Sequence, residues 1–538
     1  MFLMIYGSLI GSDTVKTSSK YSRLQNLRLM STATRIVKNS GYLYAKMGIT
    51  LFITLYTTRL ILNALGEEDY GIFNIVGGAI AMLGFFNAAL SGSTQRFISF
   101  TEGSGDKERL VTIFNISVVL HTILSILVIV VLGILGLFLF DDILNIPDSR
   151  IPAARMVYGS LIVSTTFTIM TAPYDAVLNA HENMRYYAII GLIESVLKLG
   201  VALIVVHTTG DKLIIYGILM AVIPLISLSA MRIYCHCKYQ ECKLAIFKYF
   251  NKGLMREMTV FAGWNFFQTA AAMITNYGMG IVMNIFFGAK INAAQGLANQ
   301  INGQLSAVDN VLMKAVRPVI TKAEGSGEKV RSLRVAQSVC KASFFATLLF
   351  ALPAILTMPR LLKLWLQNVP EYTTFFASSL LIITLLEQSV SGFNVVIMAR
   401  GKIRGYSTLK SCIKISYLPL IYLLYRAGYS PIIGYTLLIV IQGCINGVTV
   451  TFYYMNKQLK YSVLRIAQEL FLPMIVTGIP IGVVGVLLAR IEGVIGLCMV
   501  WAICVPLTII LSYFTLTDKT ERIVLKSMIS RLIPTRKR

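Results

Sequence analysis

Residues 112–140 read TIFNISVVLHTILSILVIVVLGILGLFLF, with no Asp, Glu, Lys or Arg in the run. A helix needs about 20 apolar residues to cross a bilayer, whereas a barrel strand needs only about 9–11. This stretch is therefore a membrane-spanning helix. Similar runs recur at about 42–62, 72–92, 155–179, 186–206, 213–234, 259–287, 291–316, 342–362, 372–398, 409–425, 433–454, 467–488 and 493–514, separated by short polar or Gly/Pro punctuation. Fourteen spans are expected. The whole chain agrees: of 538 residues 56% are apolar and 14% charged, and the mean hydropathy is +0.70. Globular soluble chains are nearer a quarter charged. Only helices and closed barrels satisfy their backbone in lipid, so the fold class is an all-α polytopic membrane protein.

The formal net charge is +24. If the N-terminus is cytosolic, 38 of the 49 Lys and Arg fall in alternate segments on the cytosolic side and nine on the other, with Lys46 and Lys198 inside spans. That asymmetry obeys the positive-inside rule and places both termini in the cytosol. The excess charge then marks orientation, not a nucleic-acid surface. Residues 1–40 are expected as a cytosolic segment, of which 1–29 reads as a mis-assigned start. A basic connector at 241–257 and a basic tail at 516–538 face the same side, the connector lying on anionic lipid.

EGSGDK at 102–107 reappears as EGSGEK at 324–329, an offset of 222 that also pairs Gly66 with Gly288 and Asn87 with Asp309. At offset 219, Ala180, Arg185 and Tyr187 match Ala399, Arg404 and Tyr406. The chain is read as two parallel six-helix repeats, 41–240 and 258–457, with an appended helix pair at 458–515. Parallel repeats of this kind are a transporter architecture with a pathway between the halves.

Polar groups inside spans are the candidate sites. Asn292, Gln295, Asn299, Asn302, Ser306 and Asp309 recur every three or four residues and share one helix face. The stripe reads as cavity lining, with interhelical hydrogen bonding as the alternative. Ionisable groups in spans are costly and functional by default. Lys198, with Glu194 four residues before it, reads either as an ion pair or as a substrate contact. Lys46 reads as a ligand or as a lysine reaching back to the surface. Arg59, near Glu67, Glu68 and Asp69, reads as a capping salt bridge or a ligand. Asp175, Glu194, Asp309 and Glu387 are candidate proton or sodium sites, while the lone His121 reads as packing. No phosphate-loop, zinc-protease or serine-hydrolase motif is present, so no cofactor, metal or ATP-driven step is expected. Cys235, His236, Cys237 and Cys242 match no standard zinc spacing.

TRLILNALGEEDYGIFNIVGG (58–78) followed by STQRFISFTEGSGDKERL (93–110) resembles the opening hairpin of Wzx-type polysaccharide flippases. These belong to the MOP superfamily, with the MATE exporters and MurJ-type lipid II flippases. Arg59, Leu65, Gly66, Tyr70 and Gly71 fill the shared pattern, and AHENMRYYAIIGLIESVLK (180–198) resembles that family's connection between spans 4 and 5. The resemblance implies a transporter in the bacterial inner membrane that flips undecaprenyl-diphosphate-linked oligosaccharide repeat units for O-antigen or capsule synthesis, by alternating access. Its partners would be membrane lipid, the lipid-linked oligosaccharide, H+ or Na+ as coupling ion, and a polysaccharide polymerase. Lys46, Arg59 and Lys198 would meet the diphosphate, and the amides of span 8 the sugars. Span 7 lacks Lys and Arg, so the cationic second-half contacts of some flippases have no counterpart there. A MATE-type cation/drug antiporter, a lipid II flippase and a membrane glycan polymerase or ligase are the rival readings. The short outer loops count against the enzyme and the three cations against the antiporter.

Overall fold

The computed structural model describes residues 20–81, 84–138, 140, 146–366, 369–459, 462 and 467–515. The tail at 516–538 and most of the segment 1–29 lie outside these. All of the regular structure among the described residues is helical. In chain order the helices are α1 (Lys20–Ala81), α2 (Gly84–Ser104), α3 (Lys107–Phe138), α4 (Ile151–Ala180), α5 (Met184–His207), α6 (Lys212–Lys238) and α7 (Lys252–Gly325). The second half continues with α8 (Lys329–Trp365), α9 (Thr373–Gln388), α10 (Ser391–Ala399), α11 (Arg404–Arg426) and α12 (Pro431–Leu438). The π-helical stretch Ile439–Thr449 joins α12 to α13 (Val450–Leu459), and α14 (Leu472–Leu488) and α15 (Gly493–Thr515) close the chain.

Long helices with an apolar girdle need one face for lipid and one for protein. On α3, Ile123, Ile126, Val130, Ile134 and Leu137 are exposed, while Phe114, His121, Leu124, Val128 and Leu132 are buried. His121 is fully buried with its Nδ1 2.8 Å from the Ser117 carbonyl, a packing position. Among the described residues ten helices are long and apolar enough to cross a membrane, or eleven if the bent pair α9–α10 counts as one span. Fourteen were expected. Helix is present at the other three places as well. They are the segment around 72–92, where residues 82–83 lie outside the described residues and divide the helix, and the amide-rich part of α7 and the lysine-bearing α11, which are too polar to pass on composition.

The repeat is written into the backbone. Gly66 (φ 79°) breaks α1 and Gly288 (φ 76°) breaks α7, 222 residues apart. Gly105 (φ 77°) and Gly327 (φ 76°) turn the two EGSG loops at the same offset. A side chain at positive φ is strained, so glycine at these corners is a steric requirement. At offset 219, Glu182 (φ 55°) pairs with Gly401 (φ 78°). The turn bond Met184 N–H to the Glu182 carbonyl is matched by Ile403 N–H to the Gly401 carbonyl, both 3.0 Å.

The chain divides into two compact units, Asn39–Phe266 and Phe267–Arg538 with Met1–Lys38. Within the first, Arg150 ties three helices together at one end. Its Nε donates to Asp69 Oδ1 at 2.8 Å and its Nη1 to Asp211 Oδ2 at 2.8 Å. Asp211 also caps α6 through the N–H groups of Leu213 and Ile214. Burial alone would raise the Asp211 carboxyl, but Arg150 and these N–H groups outweigh it and hold it below its usual range. Arg150→Ala leaves two carboxylates facing each other, so a melting temperature lower by a few degrees (about 1–2 kcal/mol) is expected by differential scanning fluorimetry.

In the second unit, Phe376 and Tyr435 stack at 3.9 Å in the core joining α9 and α12. Elsewhere in that unit, Gly392 lets α10 approach the α8 backbone at Ala336.

Candidate functional site

The first unit encloses a cavity of about 450 Å³. Five helices build it. From α4 come Ser164, Thr168, Thr171 and Asp175, spaced by three or four residues so that one face is polar. The hydroxyls of Thr168 and Thr171 donate back to the Ser164 and Phe167 carbonyls at 2.9 and 2.8 Å. Their oxygens keep lone pairs for a guest. From α5 come Tyr187, Gly191, Glu194 and Lys198, again at helical spacing; from α2, Asn87 and Ser91; from α1, Lys46. Methionines 220 and 231, Ile223 and Pro224 of α6 make the wall apolar on one side, with Ser227 among them.

Lys46 lies in this cavity. Its ammonium stands 4.6 Å over the ring of Tyr187, a cation–π contact. It fits because residue 191 is glycine: a Cβ there would fall 2.1 Å from Lys46 Cε and 2.2 Å from Nζ. Thr50 Oγ1 and Ser195 Oγ, 3.1 Å apart, hold α1 against α5 one turn further along each helix. Lys198 is exposed at the cavity's edge. No salt bridge joins it to Glu194, so the ion-pair alternative is not realised among the described residues. Four of the sequence-selected residues, Lys46, Asp175, Glu194 and Lys198, thus share one cavity, where two carboxylates balance two ammoniums. Anionic recognition based on the lysines alone has to reckon with those acids.

The other candidates lie elsewhere. Arg59 is exposed, and Asp69 is engaged by Arg150, not by Arg59; the side chains of Glu67 and Glu68 lie outside the described residues. None of the span-8 stripe lines this cavity. Gln295 is buried with its Nε2 3.5 Å from the Asn276 carbonyl, and Asn302 accepts from Thr384 at 2.6 Å. Asn299 is exposed, and the side chain of Asn292 is outside the described set. Asp309 is 2% exposed. It accepts from Thr347 Oγ1 at 2.9 Å on one oxygen, and the other has no hydrogen-bond partner among the described residues.

Reading the sequence missed Lys410, which falls at the start of the expected span 409–425 but counts there among the cytosolic charges and not as a cation inside a span. It stands on α11 with its ammonium 4.8 Å over the Tyr406 ring and 3.3 Å from Asn394 Oδ1. The same Asn394 oxygen accepts from Thr451 at 2.9 Å and from the Tyr406 hydroxyl. Offset 219 maps Tyr406 on Tyr187, Asn394 on Asp175 and Lys410 on Gly191. Both bundles therefore set a lysine over the same tyrosine. The first takes it from α1 through the gap at Gly191, the second from the position of that glycine itself. The offset was in hand and, extended four residues past Tyr406, would have found it. Glu387 is half-buried and acts electrostatically on Lys410.

The cysteine–histidine run does not converge. Cys235 and Cys242 are buried free thiols, Cys235 with its Sγ 3.9 Å from the Tyr174 carbonyl; Cys237 is exposed, and His236 turns to Tyr174, 3.4 Å from its hydroxyl.

Residues 36–324, more than half of the chain, match the family described as polysaccharide biosynthesis protein. The chain belongs to that family. Solved structures of MOP superfamily transporters share its fold. An outward-facing multidrug resistance MATE family transporter superposes with TM-score 0.68 at 14% identity, covering 80% of this chain and 97% of its own. A MOP superfamily transporter from Pyrococcus furiosus, described as having a binding pocket of reversed polarity, gives TM-score 0.66 at 14% identity, covering 80% and 97%. A mutant of the Vibrio cholerae MATE transporter VcmN gives 0.65 at 17%, covering 80% and 99%. No curated protein matches the sequence significantly. A member of the polysaccharide biosynthesis family with a MATE-like fold is a multi-pass membrane transporter, and the cavity is to be interpreted on that footing.

Proposed function

We propose that this transporter flips undecaprenyl-diphosphate-linked oligosaccharide repeat units across the bacterial inner membrane for O-antigen or capsule synthesis, by alternating access. The observation that carries the reading is the first-unit cavity, where sugar-type and phosphate-type contacts meet. Hydroxyls and amides of Asn87, Ser91, Ser164, Thr168 and Thr171 suit a sugar headgroup. Lys46 and Lys198 suit the diphosphate. The polyprenyl tail stays in lipid, alongside exposed faces such as that of α3.

The two acids give the site a means of coupling. With Asp175 and Glu194 ionised the four charges cancel. With both protonated, two ammoniums remain and a diphosphate is bound more strongly. Asp175 and Glu194 are the first unit's candidates for coupling this binding to a proton or sodium ion, and Asp309, buried against a single hydroxyl, is the second unit's candidate for the same duty. Asp175→Asn together with Glu194→Gln is expected to remove the dependence of flipping on a proton gradient while lipid-diphosphate binding is retained. Gradient-driven and gradient-free flux in vesicles measures this, and unchanged gradient dependence contradicts the coupling role.

Deleting the gene tests the substrate. Lipid-linked repeat units are expected to accumulate on the cytosolic leaflet while surface glycan disappears. Intact surface glycan removes the flippase reading. The acids also favour a second reading, a MATE-type cation antiporter, which predicts loss of cationic-drug efflux in the same strain with glycan display unaffected.

A further inference from the structure

The two EGSG loops carry a related clamp, one in each bundle. In the second bundle Arg400, at the turn after α10, donates from Nε to Glu324 Oε2 at 3.1 Å and from Nη1 to the Gln458 carbonyl at 2.8 Å. Three pieces of chain are joined: the EGSGEK loop, the α10–α11 turn and the end of α13. The first bundle has the same three pieces with a different cation. Offset 222 maps Glu324 on Glu102, and offset 219 maps Arg400 on His181. Glu102 Oε1 lies 3.4 Å from His181 Nδ1, and Glu241, just beyond α6, contacts His181 Nε2. The ring is stacked on Tyr239 at 4.1 Å with a 9° interplanar angle, so it is held with both nitrogens facing carboxylates.

A neutral imidazole has one N–H and one lone pair, and an ionised carboxylate only accepts. Neutral His181 therefore satisfies one of its two carboxylates and turns a lone pair to the other. An imidazolium donates to both, as the guanidinium of Arg400 donates in two directions. We propose that His181, between Glu102 and Glu241, is a proton-binding site that locks the first bundle's clamp when occupied, where the second bundle's clamp is locked permanently by Arg400.

Other ionisable groups adjoin the cluster. Lys107, at the start of α3, acts on Glu241; Tyr239 lies under the ring; Cys242 adjoins Glu241 on the connector; and Glu182, next in the chain, adds a further acid. Burial alone would raise the Glu241 carboxyl, but its bond to His181, a backbone N–H and Lys107 hold it below its usual range, as a partner in an ion pair requires. The three ligand atoms come within 4.8 Å of one another, a spacing that also invites a metal ion. Added Zn²⁺ distinguishes that occupant from a proton. The inference does not depend on what the protein transports.

The clamp is expected to loosen as the pH is raised from about 6 to about 8. Hydrogen exchange of the full chain in lipid nanodiscs, corrected for intrinsic rates, reads this in peptides covering 100–108, 178–188 and 238–246. Protection there is expected to fall about tenfold over that range, with no change in the second-bundle peptides around Glu324 and Arg400. His181→Arg is expected to keep protection high at both pH values, and His181→Gln to keep it low at both. If His181→Arg does not fold, Arg400→His is the converse test and is expected to transfer the pH dependence to the second bundle. Flat protection in the unmodified protein, pH dependence surviving His181→Arg, or an unresponsive Arg400→His each overturns the proposal. So does recovery of protection at pH 8 on adding Zn²⁺, which would assign the site to a metal.

Discussion

Lys46→Ala is expected to reduce surface-glycan display by about 10–100-fold at matched protein levels, which is what losing one charge-assisted contact of about 1.5–3 kcal/mol amounts to. The sharper form of the result comes from a residue with no side chain. A methyl group at position 191 falls 2.1 Å from Lys46 Cε, so Gly191→Ala displaces the flexible end of Lys46 from its place over Tyr187 without altering any charge. The two substitutions remove the same contact by different routes. They should therefore cost about the same singly and no more together, a non-additivity of about the size of either one. If Lys46 were there only to fill space, Gly191→Ala would be mild and the double mutant additive. Lys198, exposed at the cavity edge, is expected to cost less than Lys46.

The largest effect on folding is expected at Gly392→Ala. A Cβ there lies 2.1 Å from the carbonyl oxygen of Ala336 and 3.0 Å from its Cα. The obstacle is backbone, which cannot rotate away, so α10 must part from α8 along their contact. Overpacking against movable side chains costs about 1–3 kcal/mol, and a backbone clash exceeds that. Little folded protein is expected in the membrane, and any recovered should melt about 5 °C or more below the parent. Gly478→Ala is the matched control. It sits in α14 with nothing within 4 Å of the added methyl and, by helix propensity, is expected to be neutral or slightly stabilising.

The helical architecture was legible because it rests on long apolar runs, and the duplication because EGSGDK and EGSGEK are nearly identical strings. The same offset even marked Gly66 and Gly288 as equivalent before their shared left-handed turn was known. The site was legible in its members and not in their arrangement. Lys46, Asp175, Glu194 and Lys198 stand out as ionisable groups within spans. That Lys46 turns inward depends on the absence of a side chain at Gly191, 145 positions away on another helix. Lys410 was hidden for a different reason: with three lysines and two arginines between 400 and 414 it reads as one of a cluster of cytosolic charges, although it falls in the span 409–425 and α11, which begins at Arg404, carries it into the bundle. Proximity in sequence offered Glu67, Glu68 and Asp69 alike as salt-bridge partners for Arg59, while the fold pairs Asp69 with Arg150. The Glu102–His181–Glu241 cluster joins three loops and leaves no trace in local spacing.

The most direct test is transport by the purified protein. In proteoliposomes holding a polyprenyl-diphosphate-linked oligosaccharide, with a lectin or glycosidase confined to one side, the protein is expected to bring inner-leaflet substrate to the outer leaflet faster than protein-free vesicles, and the Lys46→Ala protein to lose most of that rate. Substrate that stays in its leaflet at the protein-free rate, with the parent protein folded and incorporated, would contradict the account.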